Sequence, residues 1–346
     1  MNPALHIFVL AFRIRYIGSL LLENCKETSM GASESGNRKA MIFNVQRFST
    51  EDGPGIRTTV FFKGCPLTCL WCHNPEGISG RPQLLWYGAR CIGARDCLKA
   101  CPEDALVLTP QGLKIDRERC TVCGLCEEAC PAAALEVVGK EWSLEDLLAE
   151  VKKDESFYRT SEGGVTLGGG EPMSQAEFVA IFLERCQAEG LHTALDTSGI
   201  AAWSLYEKVL PHVDLLLLDL KHMDPRAHEE MTGVKLAPIL ENARRLGKQT
   251  LPVWVRTPII PGYTDTKENV QSVARFVAEA LPNAERYDLL AFNNLCAAQY
   301  ERLGMDFPLK DAELVRREEM EALKKVAEDA GAPNVHWSGA TRLEEE

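Results

Sequence analysis

Apolar positions along this chain fall into short continuous runs separated by longer stretches with helical spacing. The runs lie at 58–62, 164–167, 193–196, 213–219, 252–256 and 287–292, and a further strand-like run, Met41-Ile-Phe-Asn-Val45, precedes them. Amphipathic stretches cover 143–153, 175–189, 237–246, 267–280 and 313–330; the second carries Phe178, Ile181, Phe182 and Arg185 at helical spacing. Strands that alternate with helices predict a parallel sheet. Parallel strands are covered on both faces and read as unbroken apolar runs, as the four leucines at 215–218 do. Polar residues close these strands: Glu171, Asp196, Asp219, Arg256 and Asn293. That edge carries the chemistry of α/β barrels. Six strands are too few to close an eight-stranded barrel, so the expected fold is α/β, a partial open (β/α)6 barrel.

The pattern breaks between 81 and 139, where cysteines replace the apolar periodicity. The expected organisation is a barrel built from 41–80 and 140–346, an insert over 81–139, and an extension over 1–40. Within 346 residues, 45% are hydrophobic and 25% charged, enough for a sizeable core. The net charge of −12 argues against a nucleic-acid partner, since phosphate binding leaves a basic footprint. Residues 4–22 are mostly apolar, but Arg13 and Arg15 interrupt them. They suit neither a signal peptide nor a membrane span. Met30 and Met41 both precede the first chemical motif, so the favoured reading is a start assigned too far upstream, ahead of an amphipathic extension or a membrane or export role.

Thirteen cysteines change the picture more, because ten fall between Cys65 and Cys130. Such tight clustering beside a large core reads as metal ligation in a reducing cytoplasm rather than as disulfides. Cys65-x3-Cys69-x2-Cys72 puts three thiolates on one loop. They can hold three corners of a cubane and leave the fourth iron open to a substrate; a zinc site is the alternative. Cys120-x2-Cys123-x2-Cys126-x3-Cys130-Pro131 is the run of bacterial ferredoxins, whose fourth cysteine serves the other cluster. The earlier Cys91-x5-Cys97-x3-Cys101-Pro102 has the same outer spacing, with Ala94 where the second cysteine belongs. One cluster then takes Cys101, Cys120, Cys123 and Cys126. The other takes Cys91, Cys97 and Cys130 and lacks a fourth thiolate, leaving a three-iron centre, or Asp96 or water as ligand. A zinc-stabilised module is the alternative for the insert.

Asp52-Gly-Pro-Gly-Ile-Arg57, the cysteine triplet, Trp71-Cys-His-Asn74, Gly168-Gly-Gly-Glu-Pro172, Asp196-Thr-Ser-Gly199 and Asp219-Leu-Lys221 follow one another in this order. Together, over about 43–294, they resemble the glycyl-radical-enzyme activating enzymes, which are radical S-adenosylmethionine proteins. The resemblance implies a radical-type partial barrel with a ferredoxin-like α+β insert. It implies a [4Fe–4S] cluster on Cys65, Cys69 and Cys72 with S-adenosylmethionine at the open iron, and two further clusters in the insert. The ligand would meet Trp71, Cys72, His73, Asn74, Gly169, Gly170, Glu171, Asp219, Leu220, Lys221, Arg256 and Asn293. At Asn293 short family members often carry histidine. A monovalent cation would sit on Asp196, Thr197 and Asp219; solvent-facing helix caps are the bland reading of those carboxylates. The loop with Asp52, Gly53, Gly55 and Arg57 would move and meet the partner, where otherwise it is a connecting turn.

The implied reaction is reductive cleavage of S-adenosylmethionine, yielding methionine and a radical that takes hydrogen from a backbone glycine of a partner enzyme. A choline or isethionate lyase is the kind of partner expected, with flavodoxin or ferredoxin as electron donor and no nucleic acid or membrane. A radical enzyme acting on a small molecule, or an electron-transfer ferredoxin, is the rival. Cys25, Cys186 and Cys296 lie outside every motif, and Cys186 reads as a buried helix residue.

Overall fold

A computed structural model describes residues 38–342. The N-terminal extension and Cys25 lie outside the described residues. Thirteen strands follow one another: β1 (Lys39–Ser49), β2 (Arg57–Phe62), β3 (Gln83–Trp86), β4 (Leu106–Thr109), β5 (Gly112–Ile115), β6 (Leu135–Val138), β7 (Lys140–Ser143), β8 (Gly164–Gly169), β9 (His192–Thr197), β10 (Leu215–Asp219), β11 (Val253–Ile259), β12 (Ala284–Ala291) and β13 (Val335–Ser338). Nine of them form one sheet in the order β13-β12-β11-β10-β9-β8-β2-β1-β7. From β2 to β13 every pairing is parallel, and β1 is antiparallel to both its neighbours. The sheet is open and mostly parallel, with helices between its strands.

The sequence reading of six parallel strands is one short, because β13 joins the edge beside β12. Val335 there is buried while His336 is exposed. A short edge strand covered unevenly has no continuous apolar run to reveal it. The interior strands do: Leu215 to Leu218 are all buried. Helices pack on them by their apolar stripes. In helix Lys267–Ala280 the residues Val270, Val273, Ala274 and Val277 are fully buried at i, i+3, i+4 and i+7. Each such valine contributes about 1.5–3 kcal/mol by leaving water. The side-chain oxygens of Ser143, Asp224 and Thr266 start their helices by accepting from the backbone three residues on.

The cysteine-rich stretch has its own small core of Leu84, Leu106, Leu113, Cys126 and Leu135. Strands β3 and β6 pair antiparallel, as do β4 and β5, and the short helices Asp96–Ala100 and Leu125–Glu128 pack on each other. Leu85 and Val138 meet Leu303 of helix Ala297–Leu303. Arg117 ties the two parts by donating to the carbonyls of Leu84 (2.6 Å) and Leu303 (2.7 Å).

Candidate functional site

Parallel strands deliver their C-terminal ends to one edge of the sheet, and the singled-out motifs lie there. β2 leads into the loop with Cys65, Cys69 and Cys72. Its backbone is clamped from several sides: Gly64 N donates to Gly77 O (2.8 Å), Cys65 N to Ile78 O (3.1 Å), Thr68 N to Thr232 O (2.8 Å) and Leu70 N to Met231 O (3.1 Å). Trp71 is buried, and the Tyr300 hydroxyl donates to Cys72 O at 3.1 Å. His73 Nε2 lies 2.9 Å from the carbonyl oxygen of Asn293, so the loop after β12 is tied to the triplet. The Asn293 side chain is engaged locally, its Oδ1 accepting from Leu295 N at 3.2 Å.

β8 ends in the glycine run. Gly170 N donates to Phe62 O (2.9 Å) and Glu171 N to Gly64 O (2.8 Å), which carries the run along the foot of the cysteine loop. A side chain at Gly170 would press on the carbonyls of Gly77, Gly64 and Phe62 at 2.6–2.8 Å, so only glycine permits this approach. Gly168 leaves room for Asp196, whose Oδ2 would lie 3.1 Å from an added methyl.

Glu171 is 2% exposed. One carboxylate oxygen accepts from Met173 N (3.2 Å) and Thr197 Oγ1 (2.8 Å), the other from Ser198 N (2.9 Å) and Ser198 Oγ (2.5 Å). Burial raises its pKa against these hydrogen bonds. Its acceptors are spent on latching the glycine loop to the loop after β9.

The residues expected around a monovalent cation lie among side chains of both signs. Asp196 ends β9, Asp219 ends β10, and Arg256 stands beside Asp219 in β11. The Arg256 guanidinium donates to Asp196 Oδ1 and, at 3.2 Å from Nε, to Asp219 Oδ1, while Lys221 Nζ donates to Asp219 Oδ2 at 2.7 Å. Two carboxylates thus face two cationic side chains. Successive residues of a strand face opposite sides. Accordingly the Thr197 hydroxyl points away from Asp196, to Glu171 and to the Tyr206 hydroxyl at 2.8 Å. Burial pushes Asp196 up to about 6, opposed by Arg256 and helped by Asp219. Asp219 is held below the usual carboxylate range, because Lys221 and Arg256 outweigh its burial. Lys221 is raised: burial lowers it, but the charges of Asp219 and Cys69 prevail, which also places its ammonium beside the triplet.

The three thiols are half-buried. Burial raises Cys65 far above its usual value, and the charges of Glu171, Cys69 and Cys72 add to this; Cys72 is pushed up to about 12 by burial and then by Cys69. Thiols so placed stay protonated unless a metal takes the proton's place. Among the described residues, no three His, Cys, Asp or Glu side chains converge on a single metal-ion position. Sulfurs around one zinc ion would lie about 3.8 Å apart, given Zn–S bonds of about 2.3 Å. Thiolates on separate corners of a cubane need no such convergence.

In the cysteine-rich stretch, Cys101, Cys120, Cys123 and Cys126 line one small cavity. Cys91, Cys97 and Cys130 line another, together with Ala94 and Asp96. These are the two groups into which the ferredoxin run divides them.

The loop before β2, expected to meet the partner, is held from within. Arg57 is fully buried, donating to Thr166 Oγ1 (2.6 Å), Val165 O (2.8 Å) and Pro54 O (3.2 Å), and burial pulls its pKa down to about 10. Asp52 accepts from Ser49 Oγ (2.5 Å) and Thr59 Oγ1 (2.7 Å). Gly53 and Gly55 have φ of +123° and +66°, and a side chain at Gly55 would collide with Ser161 O. The loop is pinned from beneath, with the Arg57 side chain buried under it.

Two positioning residues escaped the sequence reading. Asn242 donates to Gly199 O (2.8 Å) and Ala201 O (2.7 Å), and Asn269 donates to Lys221 O (3.3 Å) and Thr264 O (3.2 Å). Each is a lone polar residue on the apolar stripe of its helix, which was a readable signal. Cys296 is also buried, close enough to Cys72 for its charge to raise that thiol's pKa.

Family models match three stretches: the radical SAM superfamily at 117–277, a 4Fe-4S dicluster domain at 90–134 and a 4Fe-4S single cluster domain at 51–109. Full-length relatives are similar throughout. The (2S)-3-sulfopropanediol dehydratase activating enzyme of Klebsiella oxytoca is 37% identical, over 87% of this chain and 97% of its own length. The isethionate sulfite-lyase activating enzyme of Desulfovibrio desulfuricans is 39% identical, over 84% and 95%. The choline trimethylamine-lyase activating enzyme of Oleidesulfovibrio alaskensis is 37% identical, over 81% and 94%. Among solved structures, a radical SAM methyltransferase from Sphaerobacter thermophilus aligns over 86% of this chain and 78% of its own, with a TM-score of 0.48 and 15% identity.

Proposed function

The chain belongs to the glycyl-radical-enzyme activating enzymes of the radical SAM superfamily, and from that premise we propose that Cys65, Cys69 and Cys72 hold the [4Fe–4S] cluster that binds S-adenosylmethionine. The donor set fits: three soft, half-buried thiol ligands share one clamped loop. When bound, that cluster and its ligand supply the electron transfer that splits the sulfur–C5′ bond, and the carbon radical released takes hydrogen from a backbone glycine of the partner.

The chain's own residues bind, orient and exclude water. Gly169 and Gly170 bring bare backbone up to the cysteine loop. Glu171 holds that approach fixed through its four hydrogen bonds to Met173, Thr197 and Ser198. Lys221, 8% exposed, sets a positive charge that feels Cys69. Asp219 and Arg256 present the remaining polar atoms to the ligand, with Asp196 bracing Arg256. Positioning of this kind is what radical chemistry asks of a protein, because an unguided radical attacks its own cage. The insert carries two iron–sulfur clusters that relay electrons from flavodoxin or ferredoxin. The partner is a C–N, C–S or C–O-cleaving glycyl radical enzyme of the choline or isethionate lyase kind, and near-equal identity to the activators of several such enzymes does not choose among them. Among the described residues no helix is long and apolar enough to cross a membrane.

The observation that carries this reading is the meeting of the triplet loop, the glycine run and the Asp219–Lys221–Arg256 group at one edge of the sheet. The test is anaerobic incubation of the iron-loaded enzyme with dithionite and S-adenosylmethionine. 5′-Deoxyadenosine should form, and Cys69→Ala should abolish it. Undiminished formation in that variant would refute the assignment.

A further inference from the structure

The two halves of the cysteine-rich stretch repeat one backbone conformation. Aligning Cys91, Cys97 and Cys101 with Cys120, Cys126 and Cys130 pairs each positive φ between 91 and 105 with one between 120 and 134. Gly93 and Val122 have φ of +71° and +55°, Arg95 and Gly124 +67° and +83°, and Asp104 and Ala133 both +46°. The hydrogen bonds repeat as well. Ala105 N and Ala134 N each donate at 3.3 Å to the sulfur four residues earlier, Cys101 and Cys130. Leu98 N to Arg95 O (3.1 Å) matches Glu127 N to Gly124 O (2.9 Å). Left-handed Val122 and Arg95 are costly conformations for residues with a Cβ, so their repetition marks a geometry imposed for a purpose.

In this frame Ala94 is the counterpart of Cys123, and a methyl group stands where the other half has a thiol. Of the residues lining the same cavity, Asp96 carries a side-chain oxygen. It is the counterpart of Leu125, which turns to solvent at 45% exposure. The Asp96 side chain is likewise 48% exposed, and it lies 3.6 Å from Lys99 Nζ. Ala94 itself is exposed, so solvent reaches the corner that it leaves bare.

We propose that the cavity of Cys91, Cys97 and Cys130 holds a second site-differentiated cluster, whose iron at Ala94 has no protein ligand and leaves and re-enters as Fe²⁺. This rests on the reading above only in that the insert carries iron–sulfur clusters. Loss of Fe²⁺ from a [4Fe–4S]²⁺ core leaves a neutral [3Fe–4S] core. Ferricyanide removes one electron from it, giving the paramagnetic [3Fe–4S]⁺ form and ferrocyanide. Added Fe²⁺ with one electron from dithionite reverses both steps.

The test separates this corner from the open iron of the triplet. In a Cys65→Ala, Cys69→Ala, Cys72→Ala protein, ferricyanide should produce the near-isotropic EPR signal of an oxidised three-iron cluster. Adding Ala94→Cys should remove it, and Asp96→Asn should leave it intact. Absence of the signal, or its appearance only after Asp96→Asn, would overturn the proposal. Should the triple variant fail to fold, wild-type enzyme holding S-adenosylmethionine serves. After ferricyanide and then ⁵⁷Fe²⁺ with dithionite, Mössbauer spectra should show one labelled iron per chain, absent in Ala94→Cys; equal labelling of both proteins would overturn the proposal. Because neither readout depends on S-adenosylmethionine cleavage, failure here leaves the assigned function standing, and loss of that function leaves these spectra interpretable.

Discussion

The cysteine triplet and the cysteine-rich insert are held by different means. The triplet loop hangs from a nine-stranded sheet and is fastened by backbone bonds to residues far away in sequence, among them Ile78, Met231 and Thr232. The insert has five buried residues in its own core, one of them a cysteine, and two two-stranded sheets. So small a core stabilises little without a metal or another staple. The difference predicts a barrel that keeps its site without iron and an insert whose structure depends on iron.

The largest effect expected from this contrast follows iron removal. Anaerobic chelation should strip amide protection from β4 and β5 in hydrogen exchange and leave β8 to β11 protected. Uniform loss, or none, would break the contrast.

Next in size is Glu171→Ala, which leaves Thr197 and Ser198 without their buried partner. A loss of about 3–5 kcal/mol in denaturant unfolding is expected, with iron binding by the insert unchanged. A loss below about 1 kcal/mol would mean that the latch is not what fixes the glycine loop.

A smaller effect is expected at Asp154, which is buried and accepts from Thr58 Oγ1 (2.8 Å) and Arg47 Nε (2.8 Å). The hydrogen bond from Arg47 leads in holding its carboxyl below the usual range. A depressed folded pKa stabilises above the unfolded pKa of about 3.9, and this contribution fades as pH falls through the lower folded value. Asp154→Asn should therefore cost about 2 kcal/mol near neutrality, and its deficit should shrink in acid. A pH-independent deficit would show that packing, not charge, is at stake.

Smallest is Asn242→Ala. It frees the carbonyls of Gly199 and Ala201 and should cost about 1 kcal/mol. KM for S-adenosylmethionine should rise more than kcat falls, because the loop is loosened rather than lost. A fall in kcat alone would point elsewhere.

What the sequence revealed divides along the same line. The interior strands were legible because both faces are covered, and the two cysteine groups because ferredoxin spacing is local. The side-chain roles were less so, because they depend on partners far apart in the chain. Arg57 stands in a turn-like Gly-Pro-Gly stretch, and only the register that sets it beside Gly164 makes room to bury it. Glu171 shows its four donors only once β8 and β9 are neighbours. Thr197 was within reach, since strand alternation alone turns it away from Asp196.

The central claim is hydrogen abstraction from a partner's glycine, and isotope transfer tests it most directly. A glycyl radical enzyme of the choline or isethionate lyase kind, produced with α-deuterated glycine, is incubated anaerobically with this enzyme, dithionite and S-adenosylmethionine. Deuterium should appear in the 5′-deoxyadenosine as a glycyl radical signal grows on the partner in equal amount. 5′-Deoxyadenosine without deuterium, and no radical on any such partner, would contradict the claim and leave a small molecule as the substrate.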